Sequence, residues 1–142
     1  MVLLDVNVLV YAHREDVADH SAYLGYVTAL AESPGPFGVS ELVLSGFLRV
    51  VTHPKVFSQP TPLKKAIAFT EALRAQPNCV IQMPGARHWD LFVQLCQQAG
   101  AKGNQIPDAY HAALAIETGS EWTTTDRGFG RFRGLRWKHP LD

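Results

Sequence analysis

Short apolar runs alternate with longer helical patterns along the whole chain, and that alternation restricts the fold more than any other feature. Val2-Leu3-Leu4, Phe37-Gly38-Val39, Cys79-Val80-Ile81 and Glu121–Thr125 read as strands, with Leu135–Lys138 as a last one. Helical segments lie between them. Val6–Ala12 is a short helix, and residues 17–33 place Tyr23, Val27 and Leu30 on one face before Pro34-Gly35-Pro36 stops them. Ser40 caps a helix running to about Thr52, and Thr61-Pro62 opens another that ends near Ala75. Residues 86–99 carry Trp89, Phe92, Val93 and Cys96 on one core-facing stripe, closed by Gly100, and Pro107 opens a last helix that Gly119 ends. Strands alternating with helices predict a parallel sheet covered on both faces. No repeat, low-complexity tract or long linker interrupts the pattern, so residues 1–142 read as a single domain.

At 142 residues and 46% hydrophobic, the chain can bury a sizeable core, and at 18% charged it is not a disordered polyelectrolyte. Its 13 basic and 13 acidic residues cancel, which excludes a simple basic coating protein for nucleic acid. The charges are nevertheless segregated. Residues 1–32 carry Asp5, Glu15, Asp16, Asp19 and Glu32 against Arg14 alone, whereas Arg127, Arg131, Arg133, Arg136 and Lys138 fill the tail. Cys79 and Cys96, with no export signal ahead of them, fit a reducing cytoplasm. Asp5 and Asn7 interrupt the first apolar stretch, so it is not a membrane span.

The acids fall at informative places. Asp5 ends the first strand, Glu41 follows the capping Ser40 after the second, Asp108 sits in the first turn opened by Pro107, and Asp126 directly follows a strand. In an open α/β sheet these points share the carboxyl edge, where ligands bind. Each acid taken singly also fits as a helix cap. Together they repel, by about 4 kcal/mol for a pair about 4 Å apart at an effective dielectric of 20, unless a cation offsets them. Oxygen donors without sulfur or paired imidazole point to Mg²⁺ or Mn²⁺ rather than zinc.

Rival chemistries lack their residues. There is no His-Glu-x-x-His, Cys-x-x-Cys, G-x-G-x-x-G, Walker A or G-x-S-x-G pattern. A receiver-like phosphoacceptor would show an acid pair after the first strand and a lone late lysine, and neither is present. His111, one turn from Asp108, is placed to approach a ligand but reads first as a packed or surface residue of its helix, and His13-Arg14, placed to touch phosphate, reads first as solvent-exposed.

With the acids placed, the chain resembles the PIN-domain ribonucleases, and among them the VapC toxins of type II toxin–antitoxin pairs. Leu3-Leu4-Asp5-Val6-Asn7-Val8-Leu9-Val10-Tyr11-Ala12 resembles the family's opening strand and its acid. Ser40-Glu41 heading an apolar helix resembles the second motif, and Ile106-Pro107-Asp108-Ala109-Tyr110-His111-Ala112-Ala113-Leu114-Ala115 the third. Thr124-Thr125-Asp126-Arg127-Gly128-Phe129, with Arg131-Phe132 and Gly134-Leu135, resembles the fourth and the closing strand. Gly128 is a departure, because many relatives carry a further acid there and its absence weakens a second metal site.

The resemblance implies a PIN-like three-layer α/β/α sandwich around a central parallel sheet. It implies Mg²⁺- or Mn²⁺-dependent cleavage of structured RNA, transfer or ribosomal, to inhibit translation and growth. A cognate VapB-type antitoxin would hold the toxin in check. It also implies a homodimer, with which the helix Leu42–Val51, apolar nearly all round, agrees. Carried over by position, Asp5, Glu41, Asp108 and Asp126 are the catalytic and metal-binding acids, with Asn7 and Thr124 supporting them. Arg127 and Arg131 are expected to bind flanking phosphates of the RNA. A second class fits the same residues: a PIN-like protein that binds RNA or a partner and cleaves nothing.

Overall fold

The computed structural model describes all 142 residues. In chain order the elements are β1 (Val2–Leu4), α1 (Val6–His13), α2 (His20–Glu32), β2 (Phe37–Ser40), α3 (Glu41–Val51), α4 (Leu63–Arg74), β3 (Cys79–Gln82), α5 (His88–Ala99), α6 (Gln105–Glu117), β4 (Glu121–Thr123) and β5 (Trp137–Lys138), with a 3₁₀ turn at Arg127–Arg131. The strands form one five-stranded sheet of order β3-β2-β1-β4-β5, and every neighbouring pair is parallel. Right-handed crossovers out to β3 and then back to β4 require helices on both faces of the sheet. Accordingly α1 packs with α2 and α3, α3 with α4, and α5 with α6. This is the expected α/β/α arrangement around a parallel sheet.

The core follows from the apolar runs. Leu3, Leu4, Phe37, Val39 and Trp122 of the strands are wholly buried, as are Val43, Phe47 and Val51 of α3. Leu42, at the start of α3, is 48% exposed, so that helix is buried on its core side without being apolar-packed all round. α5 buries His88 and Leu95; of the expected stripe Phe92 and Cys96 pack partly buried against the core, whereas Trp89 is 64% exposed. No helix is long and apolar enough to cross a membrane.

Several boundaries differ from the sequence expectation for identifiable reasons. α6 begins at Gln105 rather than at Pro107; a proline at the third helical position forfeits an N–H that has no intrahelical partner anyway. β4 stops at Thr123: the Thr124 N–H still reaches the Lys138 carbonyl of β5, but the Thr125 N–H leaves the sheet to donate to Asn7, while Thr124 Oγ1 donates to Asp5. Asp126 therefore lies beyond a short turn rather than directly after the strand. Thr61 does not cap α4; its buried hydroxyl meets Arg14 and His13 instead. Consequently His13 and Arg14 are partly buried, not solvated as expected. α2 starts at His20, after Asp19 adopts a left-handed φ of 59°.

Candidate active site

β1 hands its last residue straight to a helix. Asp5 is the N-cap of α1, and its Oδ1 accepts from the Val6 N–H at 2.6 Å. The same carboxylate is held from β4: Thr124 Oγ1 donates to Oδ2 at 2.6 Å, and Asn7 Nδ2 adds a bond of 3.1 Å. Asn7 Oδ1 in turn accepts the Thr125 N–H at 3.2 Å, and Thr124 Oγ1 accepts the Asp126 N–H at 3.0 Å. Asn7 and Thr124 thus tie the ends of two adjacent strands to one carboxylate, and they fix the turn that presents Asp126. β1 and β4 flank the point at which the chain, having run out to β3, crosses back, which is where open α/β sheets bind ligands.

Asp5, Asp108 and Asp126 line one cavity of about 400 Å³ with Asn7, Asn104 and His111. Burial pushes the Asp5 carboxyl up to about 6, more than its hydrogen bonds from Thr124 and Val6 hold it down, and Asp108 and Asp126 push it further. Asp108 is also raised, by burial first and then by Asp126. Arg131 offsets part of this charge, with Nη1 3.9 Å from Asp108 Oδ2. The Arg131 guanidinium also occupies the space over Gly128, where a Cβ would stand 2.9 Å from both Arg131 Nη2 and Asp126 Oδ1. The position at which many relatives carry a further acid is therefore filled by a cation from the next turn. His111 forms part of the cavity floor, stacked on Trp122 at 5.2 Å, and burial pulls its imidazole down to about 4.

Two of the expected site residues stand elsewhere. Glu41 is not brought to the three aspartates: it is exposed, pairs with Arg74 at 3.3 Å and borders a separate cavity with Gln82 and Met83. The reason is rotational. Ser40, not Glu41, is the cap of α3 and so holds the place that Asp5 holds in α1; one residue further on, a side chain is turned by about 100° around the axis. Arg127 also points away, paired with Asp142 at 3.1 Å and 64% exposed. Conversely, Arg49, Asn104, Tyr11 and Phe57 line the acidic cavity and were not singled out from the sequence. Arg49 has a legible signal, since it is the only base in a helix whose other residues beyond Glu41 are apolar or small.

The donor set suits a hard divalent cation. Its acidic and amide oxygens come from Asp5, Asp108, Asp126, Asn7 and Asn104, beside the His111 imidazole and the Tyr11 hydroxyl; burial raises the proton affinity of Asp5 and Asp108, and the mutual repulsion of the acids adds to it. No group of three His, Cys, Asp or Glu side chains is close enough to enclose an ion by itself. An ion here would be held by one or two carboxylates and by water, the habit of Mg²⁺.

The PIN domain family model matches residues 2–135. Ribonuclease VapC43 of Mycobacterium tuberculosis is 49% identical over 142 residues, covering all of this chain and 97% of the relative. Ribonuclease VapC25 of the same organism is 41% identical over 140 residues, covering 99% of each. Among solved structures, VapBC2 from Rickettsia felis bound to a promoter DNA fragment superposes with a TM-score of 0.70 at 18% identity, covering 98% of each chain. VapC20 of M. tuberculosis superposes with a TM-score of 0.68 at 15% identity, covering 96% of this chain and 99% of that one. The sheet, the acids at its carboxyl edge and full-length relatives at this identity lead to one assignment: the chain belongs to the PIN-domain family, among its VapC ribonucleases.

Proposed function

We propose that the chain is the endoribonuclease toxin of a type II toxin–antitoxin pair, a single cytoplasmic domain that cuts structured RNA with the help of Mg²⁺ or Mn²⁺. The observation that carries this reading is the convergence of Asp5, Asp108 and Asp126 on one cavity at the sheet's crossover point, with the Asp5 carboxyl pushed up to about 6. Asp5 and Asp108 are the main ligands, with Asp126 contributing directly or through water. Thr124, Asn7 and Val6 occupy three of the roughly four acceptor sites of the Asp5 carboxylate and leave about one for the ion. When bound, the ion supplies charge neutralisation at a phosphate oxygen and a water of lowered pKa. Arg131 holds Asp108 in place and limits the repulsion between it and Asp126.

The structured-RNA class is supported by VapC20, a structural neighbour described as a sarcin-ricin loop cleaving toxin. A VapB-type antitoxin is supported by structural neighbours that are VapBC assemblies, from Rickettsia felis and Haemophilus influenzae among others. Such a partner would cover the acidic cavity, and a homodimer is the expected assembly of the toxin. The test is cleavage of total cellular RNA by the purified chain in Mg²⁺, Mn²⁺ or EDTA, with Asp108→Asn beside the parent. Discrete fragments are expected with metal, none in EDTA, and a loss of at least about a hundredfold in the variant, on the scale of removing a group that stabilises transition-state charge. Cleavage that survives in Asp108→Asn would overturn the assignment of Asp108 to the site, and no cleavage at all would leave a PIN-like binding protein.

A further inference from the structure

The wall facing the carboxylates is built from Arg49 and Val50 in the last turn of α3 and from Val56 and Phe57 in the segment that follows. Arg49 is the one arginine or lysine lining the cavity. It forms no ion pair, although Arg14, Arg74, Arg127 and Arg131 each face a carboxylate. Phe57 is fixed from behind. The Arg14 guanidinium lies 4.0 Å from its ring centroid. Arg14 is itself held by Asp16 at 2.6 and 2.9 Å and by the Gln59 carbonyl at 2.8 Å. Arg14 borders a different cavity, and Phe57, half-buried against the core, contributes its remaining exposed surface to the acidic one. Val56, 55% exposed, extends this apolar lip.

We propose that this wall is a nucleotide subsite for single-stranded RNA, in which Arg49 takes the phosphate next to the one held over the carboxylates and Phe57 stacks the attached base. The inference rests on the ribonuclease reading and adds to it the substrate-binding half of the cavity. A strand of phosphodiesters entering a cavity of three carboxylates is repelled along its whole length unless a fixed cation meets it. A guanidinium matches a phosphate with two parallel N–H donors and never loses its charge. An aromatic ring held by a guanidinium and the core, with surface left in the cavity, can stack an unstacked base, the usual way in which single-stranded RNA is gripped. A cavity of about 400 Å³ lies in the range of small-ligand sites, enough for one nucleotide.

The test separates binding from chemistry by working in the Asp108→Asn background. The probe is a short fluorescein-labelled single-stranded RNA of mixed sequence, titrated by anisotropy over a series of salt concentrations. Arg49→Ala is expected to weaken binding and to lower the slope of log affinity against log salt by about 0.7, the loss of one phosphate contact on a single strand. Arg49→Lys should restore the slope. Phe57→Leu should weaken binding about 5- to 150-fold with the slope unchanged, and Phe57→Tyr should bind like the parent, which separates loss of stacking from loss of fold. An unchanged slope in Arg49→Ala, or parental affinity in Phe57→Leu, overturns the subsite while leaving the ribonuclease reading intact. Failure of the Asp108→Asn protein to bind this probe also overturns the subsite, while the ribonuclease reading is decided separately by cleavage of total cellular RNA.

Discussion

Asp5 and His111 border the same cavity, and burial acts on them in opposite senses: the carboxyl rises to about 6 and the imidazole falls to about 4. Both are therefore driven toward their neutral forms. The stabilisation that Asp5 gains from its proton is complete below its ordinary value of 3.8 and is lost as pH rises through about 6. For His111 stability is intact above 6.5 and is lost as pH falls through about 4. At about 1.4 kcal/mol per pKa unit each effect is on the order of 3 kcal/mol, and over the shared acid window they oppose one another. In EDTA, the melting temperature of Asp5→Asn should fall more steeply than the parent's as pH drops from 6.5 toward 4. His111→Phe, which keeps a ring on Trp122, should instead become more stable as pH drops through the same window. Thermal melts followed by circular dichroism across that range check both, and superimposable profiles for parent and variants would show that burial does not govern these two groups.

α3 shows what a helix pattern can and cannot give. The apolar spacing located the helix, Ser40 its start, and Val43, Phe47 and Val51 its buried side. Rotation about the axis was not legible, because a sheet-edge position places a residue near a ligand without saying which way its side chain turns. Position along the chain therefore places Glu41 with the acids, although its side chain turns to Arg74, and gives no sign that Arg49, two turns on, faces the cavity. Gly46 carries a packing constraint of the same kind. A Cβ there would stand 2.9 Å from Cγ2 of Val6, the residue whose N–H bonds Asp5, so close approach of α1 and α3 requires glycine at this crossing. Val6 is β-branched and stiff and yields little. Gly46→Ala adds about 1–3 kcal/mol of overpacking, offset by about 1 kcal/mol of helix propensity. Gly46→Val recovers less and collides more. Urea denaturation should therefore rank the parent above Ala and Ala above Val, with lower midpoints and unchanged m-values. Equal stability of all three would mean that the α1–α3 crossing has room to spare.

Across the whole molecule, the alternation of strands and helices was enough to predict a covered parallel sheet, and the resemblance supplied the three-layer form. Strand order is a long-range property that local pattern does not encode, and it is strand order that brings Asp5, Asp108 and Asp126 together from separate elements. A ligand that binds only the folded sheet stabilises it by about 2.7 kcal/mol at a hundredfold excess over its dissociation constant. For a chain of this length that corresponds to a melting-temperature rise on the order of 10 °C. Mn²⁺ or Mg²⁺ added to the EDTA-stripped protein should produce such a rise above about pH 6, where Asp5 gives up its proton, and the rise should fade at lower pH as protons compete for the same oxygens. Asp108→Asn should reduce or abolish the rise. Glu41→Gln should retain it in full, because Glu41 faces Arg74 and a different cavity. Loss of the metal-induced rise in Glu41→Gln, with its retention in Asp126→Asn, would show that Glu41 swings inward when the ion binds and that Asp126 is not the third acid of the site.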